Sequence, residues 1–252
     1  MPLNLGVVPY LNALPLHWSL RAQNDIEIVA DFPANLGARL QNGEFDAALL
    51  PVADHLRGVG GGILGDAIVG ATREVRSVLL FSKPEIERTE SVALDASSHS
   101  SVALIRILLS DFYRLQPNFL NHPPDLGAML RRADAALLIG DPALEAAQCC
   151  TSLHVYDLAA LWHHFTGLSF VFAAWTAKSG LENRGALEKR LDQARDEGET
   201  QISEIVTANP LGTSLSDAVV EGYLRNSIEY RLTPAHRAGM DEFARHLVRL
   251  EK

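Results

Sequence analysis

Short apolar runs alternate with helix-period segments along the first part of the chain. "LNLGVV" (3–8) reads as a buried strand and residues 12–21 as a helix; "IEIVAD" (26–31) alternates like a strand. "ANLGARLQNGE" (34–44) reads as a helix ending near Gly43, and "FDAALLPV" (45–52) as a strand running into a proline. This β-α-β-α-β order predicts a mainly parallel sheet with helices on its faces.

The pattern then changes. "GGGILGDAIVGA" (60–71) and "VRSVLLFSK" (75–83) are consecutive strands with no helix between them. A new series follows: "SVALD" (91–95), a helix at 100–114, "PNFLNH" (117–122), a helix at 124–132, "ADAALLIGD" (133–141) and a helix from Pro142. One more long strand reads at "LSFVFAAWTAK" (168–178), and the chain from 185 onward is helical. There Leu187, Leu191, Ala194, Ile202 and Ile205 share one face, as do Met240, Phe243, Leu247 and Leu250. The simplest architecture is α/β with two lobes. Lobe one comprises 1–83 plus 172–252 and is discontinuous; lobe two is 84–171. Two crossings between lobes make a hinge and leave a cleft where the carboxyl ends of strands offer a ligand site.

Composition narrows the partners. The 252 residues are 47% hydrophobic and 21% charged, with a formal net charge of −9. A broad nucleic-acid footprint is not expected, and any anionic ligand must be held by local donors. No apolar run approaches the roughly 20 residues of a membrane span. The start, "MPLNLGVVPYLN", has no basic n-region, so a cytoplasmic chain is expected. The two cysteines, Cys149 and Cys150, are adjacent and read as reduced thiols. His163-His164 lacks the spacing of a helical zinc pair, and no phosphate-loop, dinucleotide or serine-hydrolase motif is present. No metal or cofactor is expected.

Four places can carry chemistry. Pro9-Tyr10-Leu11-Asn12 ends the first strand; Asn12 can cap the next element or bind a ligand, and Tyr10 can pack or line the rim. Asp95 is followed by Ser97, Ser98, His99, Ser100 and Ser101, so hydroxyls and free N–H groups at a helix start can hold a carboxylate or phosphate. One of these serines is also an ordinary N-cap. Gly140 lets backbone approach a ligand, and Asp141 can cap a helix or orient a donor. Ser77, beside Arg73 and Arg76, is an unusual residue for an apolar strand and either faces the cleft or is a tolerated small residue.

Taken together, "PYLNALPL" (9–16), "GEFDAALLPVADHL" (43–56), "VRSVLLFSK" (75–83), "VALDASSHSSVALIRILL" (92–109), "HPPDLGAMLRRADAALLIGDPAL" (122–144) and "FTGLSFVFAAW" (165–175) resemble the chorismate dehydratase family of the futalosine route to menaquinone. The likeness spans about the first 175 residues and continues weakly into the tail. It implies a two-lobed, periplasmic-binding-protein-like (type II) fold. It also implies loss of water from chorismate to give 3-[(1-carboxyvinyl)oxy]benzoate, without metal or redox cofactor. The family's functional asparagine maps onto Asn12 and its functional serine onto Ser77. The serine-rich helix start, Ser97 to Ser101, would hold a carboxylate. Two departures are Pro9, where the family often has serine, and His99, where a basic residue is common. Asp141, Asp95 and His99 are candidate proton acceptors, and the substrate's own side-chain carboxylate is the preferred one.

The rivals are a non-catalytic binding protein of the same fold and the sister enzyme that makes dihydroxynaphthoate. The sister enzyme would be expected to use a histidine base in lobe two, for which His122 and His154 are the candidates.

Overall fold

The computed structural model describes residues 2–95, 97–150 and 152–250. The chain opens with β1 (Leu3–Val7), β2 (Ile26–Ala30), α1 (Pro33–Gln41), β3 (Ala47–Pro51), α2 (Val52–Leu56) and β4 (Ile63–Ala71). It then enters a second sheet through β5 (Val78–Ser82), β6 (Ser91–Asp95), α3 (His99–Ile107), β7 (Asn118–His122), α4 (Leu126–Arg132), β8 (Ala135–Ile139), α5 (Gly140–Cys149) and β9 (His154–Asp157). Helix α6 (Leu158–Thr166) leads back to β10 (Phe170–Ala177), and the tail adds α7 (Arg184–Thr200), α8 (Ile202–Ala208), α9 (Asp217–Asn226), β11 (Glu229–Arg231) and α10 (Pro234–Leu250).

The first sheet has the order β11-β4-β10-β3-β1-β2, and the second β7-β6-β8-β5-β9. Within the first, β1 runs parallel to β2 and β3, whereas β10 is antiparallel to both of its neighbours. In the second, β6 is parallel to β7 and β8, and β5 is antiparallel to β8 and β9. Both sheets are therefore mixed: β5 and β10, each directly after a crossing from the other lobe, run antiparallel to both neighbours, and β11 pairs antiparallel with β4. Strand β5 pairs only within the second sheet, so the first crossing runs through 72–77 rather than following the expected boundary at 83.

Period-two patterning explains how the second sheet is covered. Val78 and Leu80 of β5, with Leu137 and Ile139 of β8, join the large core that also fills the first sheet. Leu79 and Phe81, with Ala136 and Leu138, point the other way into a smaller cluster with Met129 and Ala143. The two lobes thus share one apolar core on their facing sides.

The segment expected to be a helix at 12–21 is instead two 3₁₀ turns, Leu11–Leu16 and Ser19–Ala22. Pro15, which lacks an N–H, sits inside the first. The chain from 185 is mostly helical, interrupted by β11 and by a loop at 209–216, and the faces read from Leu187 to Ile205 and from Met240 to Leu247 are buried. Among the described residues no helix is long and apolar enough to cross a membrane.

Candidate functional site

The end of β1, the crossing at 72–77, the start of α3 and the start of α5 converge on one cleft between the lobes. Its empty volume, including the part open to solvent, is about 500 Å³. Tyr10, Asn12, Ser77, Ser98, Ser101 and Gly140 line it, against an apolar wall that includes Val8, Val69, Val75 and Phe172. This lining carries no formally charged side chain among the described residues.

Most of these polar groups are held by specific contacts. The Ser77 carbonyl accepts from Gly140 N–H at 2.7 Å, fixing the crossing against the start of α5. Gly140 has φ +63°, and a Cβ there would lie 2.5 Å from Tyr10 Cδ1, so the glycine permits the tyrosine ring to close on it. Burial pushes the Tyr10 hydroxyl up to about 12, partly offset by its contact with Ser97, so it is a neutral group. Ser98 caps α3, accepting from Ser101 N–H at 3.3 Å and donating to Ser101 Oγ at 2.9 Å.

Three residues expected to bind substrate stand outside the lining. Ser97 links Tyr10 to Asp95: its Oγ is 3.5 Å from Tyr10 Oη and donates to Asp95 Oδ1 at 2.6 Å. Ser100 faces lobe one and bonds the backbone of Ala53 and Phe172. Asp141 turns its carboxyl to Leu11 N–H, with oxygens at 3.1 and 3.3 Å. Burial raises Asp141 to about 7, with nearby Glu145 adding to the shift. His99 pairs with Asp54 across the lobes, Nδ1 to Oδ1 2.8 Å, and so has a structural use. Asp95 is also raised by burial. His122 and His154 lie outside the cleft lining; His122 Nδ1 contacts the Pro123 carbonyl.

One residue at the site escaped sequence reasoning. Tyr223 of α9 is fully buried, and its hydroxyl donates to Ser77 Oγ at 2.7 Å. The nearby Asn12 side chain tempers the rise that burial imposes on this hydroxyl. Its sequence context is an ordinary amphipathic helix, with no local signal of this role. Arg73 and Arg76 lie elsewhere, in an open groove with His163 and His164. Cys149 and Cys150 are free thiols. Among the described residues no group of three His, Cys, Asp or Glu side chains could hold a metal ion.

Solved structures share this architecture at low sequence identity. A protein from Archaeoglobus fulgidus superimposes with a TM-score of 0.78 at 15% identity, covering 99% of this chain and 97% of that one. The periplasmic aliphatic sulphonate binding protein of Escherichia coli gives 0.66 at 18% identity, covering 99% and 87%. A Candida albicans gene product described as having the generic periplasmic binding protein fold gives 0.67 at 12% identity, covering 100% and 92%. The fold is therefore two-lobed and periplasmic-binding-protein-like, with a cleft between the lobes. In sequence, the chain is 30% identical to a chorismate dehydratase of Thermus thermophilus over 98% of its length and 95% of the relative's. It is 25% identical to a chorismate dehydratase of Campylobacter jejuni over 95% of each. Residues 3–249 match the family model described as menaquinone biosynthesis, and it is to that family that this chain belongs.

Proposed function

We propose that this protein is a chorismate dehydratase, a hydro-lyase that converts chorismate to 3-[(1-carboxyvinyl)oxy]benzoate and water. The observation that carries this reading is the convergence of Asn12, Ser77, Ser98 and Ser101 on one cleft between the lobes, in a chain related along nearly its whole length to chorismate dehydratases. The ring C–O bond breaks and its electron pair leaves with the hydroxyl. A ring C–H bond breaks, its electrons complete the aromatic ring, and the proton and hydroxide together make the water lost. No electrons leave the substrate, so no redox partner is required.

The cleft suits a small dicarboxylate. Hydroxyls, an amide and the start of α3 supply donors where side-chain cations are absent from the lining. An Asp141 carboxyl raised to about 7 limits the negative charge opposing a dianion. Asn12 and Ser77 orient the ring and donate to the departing hydroxyl. The substrate's own side-chain carboxylate takes the ring proton.

The test is incubation of the purified protein with chorismate, followed by absorbance and mass spectrometry. Loss of one water with a new aromatic chromophore is expected. Tight binding without turnover would replace the enzyme with a receptor, and an inert mixture would sink the assignment.

A further inference from the structure

Ser77 Oγ has to act as a donor if it is to assist a leaving hydroxyl, yet a buried serine hydroxyl is free to rotate and can equally accept. A hydroxyl carries one hydrogen and two acceptor lone pairs, so what sets its direction is its other partner. That partner is Tyr223. It comes from α9, in the tail, and packs against the crossing from behind the cleft, with no exposed surface. Its oxygen is 2.7 Å from Ser77 Oγ, and the tyrosine is the donor. The Asn12 side chain lies near the same hydroxyl. Ser77, proposed to touch the substrate, is thus anchored by a side chain that does not line the cavity, and Asn12 lies beside the same group.

We infer that Tyr223 is a positioning residue for the dehydration: by donating to Ser77 Oγ it occupies the acceptor side of that hydroxyl and turns the Ser77 O–H into the cleft. This rests on the dehydratase reading above. Burial keeps the tyrosine protonated by raising its hydroxyl well above its ordinary value, so the donor persists across the working pH range. In such a chain the serine O–H is also a stronger donor, because hydrogen bonds in series polarise one another.

The experiment is a double-mutant cycle on chorismate turnover with Tyr223→Phe, Ser77→Ala and the pair. Tyr223→Phe keeps the ring and removes only the hydroxyl. Its kcat is expected to fall about tenfold with KM changed by less than about twofold, because the loss bears on the reacting hydroxyl more than on ground-state binding. In the Ser77→Ala background the same substitution is expected to change kcat by less than about twofold. A packing defect would instead lower the melting temperature and act equally in both backgrounds. Should the phenylalanine variant fail to fold, site-specific 3-fluorotyrosine at position 223 alters the hydroxyl's acidity without changing its shape, and is expected to shift kcat at an unchanged melting temperature. Unchanged kcat in a folded variant, or an equal loss with and without Ser77, overturns the positioning role. The wild-type control separates the two claims: an active wild type with an unaffected Tyr223→Phe removes this inference alone, whereas a wild type that leaves chorismate intact removes the dehydratase reading.

Discussion

Ser100 Oγ donates to the Phe172 carbonyl at 3.0 Å and accepts from Ala53 N–H at 3.1 Å, tying α3 of the second lobe to β10 and α2 of the first. Its side chain is buried, and both partners lie across the lobe boundary. Replacing it with alanine strands a buried acceptor and a buried donor. Ser100→Ala is therefore expected to cost about 1–3 kcal/mol of stability, read as a lower midpoint in thermal or urea denaturation. A wild-type midpoint would show that the pin carries no stability.

Asn12 and Ser77 are expected to act on turnover. Asn12→Ala and Ser77→Ala are each expected to slow chorismate turnover by about tenfold or more, with near-native circular dichroism; melting stays near-native for Asn12→Ala and falls for Ser77→Ala, which strands the buried Tyr223 hydroxyl. Both line the cleft, where their loss is felt by a substrate first. Wild-type rates in both purified variants would take them out of the mechanism.

Gly140→Ala should disturb the site through Tyr10. The added methyl needs a positive φ that side chains rarely adopt and meets the Tyr10 ring at 2.5 Å. A several-fold rise in KM is expected, with a lower melting temperature. Steady-state kinetics beside a melting curve checks both.

How much of this could be read beforehand depends on periodicity. The alternation of strands and helices was legible because periods of 2 and 3.6 are distinct over five or more residues. Residues 12–21 misled because their spacing is helical while Pro15 favours a tighter turn. Strand β11 has only three residues and offers no period to detect. In the serine cluster the types are alike, and only direction separates them. Ser98 and Ser101 are three apart and share a helix face, toward the cleft, while Ser100 is rotated away from it. Asp141 and Tyr223 depend on partners 130 and 146 positions away, a distance no local pattern spans.

Asp141 sets one pH dependence. Its folded value, about 7, lies above that of an unfolded aspartate, so the folded state binds the proton more tightly. Its contribution is fully present below about pH 4 and is lost as pH rises through about 7. Asp141→Asn keeps an acceptor for Leu11 N–H but cannot ionise. Its melting temperature relative to wild type should climb between pH 5 and pH 8. A pH-independent difference would show that the carboxyl does not titrate in this range.

His17 sets the reverse slope. Burial pushes its imidazole down to about 4, with Arg21 adding to the effect, so the unfolded chain takes up a proton that the folded one refuses. Stability from this group is intact above about pH 6.5 and falls as pH drops toward 4, by about 2 kcal/mol at pH 5. His17→Leu should lose less melting temperature than wild type between pH 7 and pH 5. Equal losses would show that another group governs acid lability.

The place of β10 in the first sheet has a consequence for how the molecule is born. It sits between β3 and β4, yet it is synthesised only after all five strands of the other sheet. A chain emerging amino end first completes the second layer while the first is still split into β2-β1-β3 and a lone β4. The middle of the chain can mature on the ribosome, whereas the sheet that begins the sequence must wait for residue 177 to close its gap.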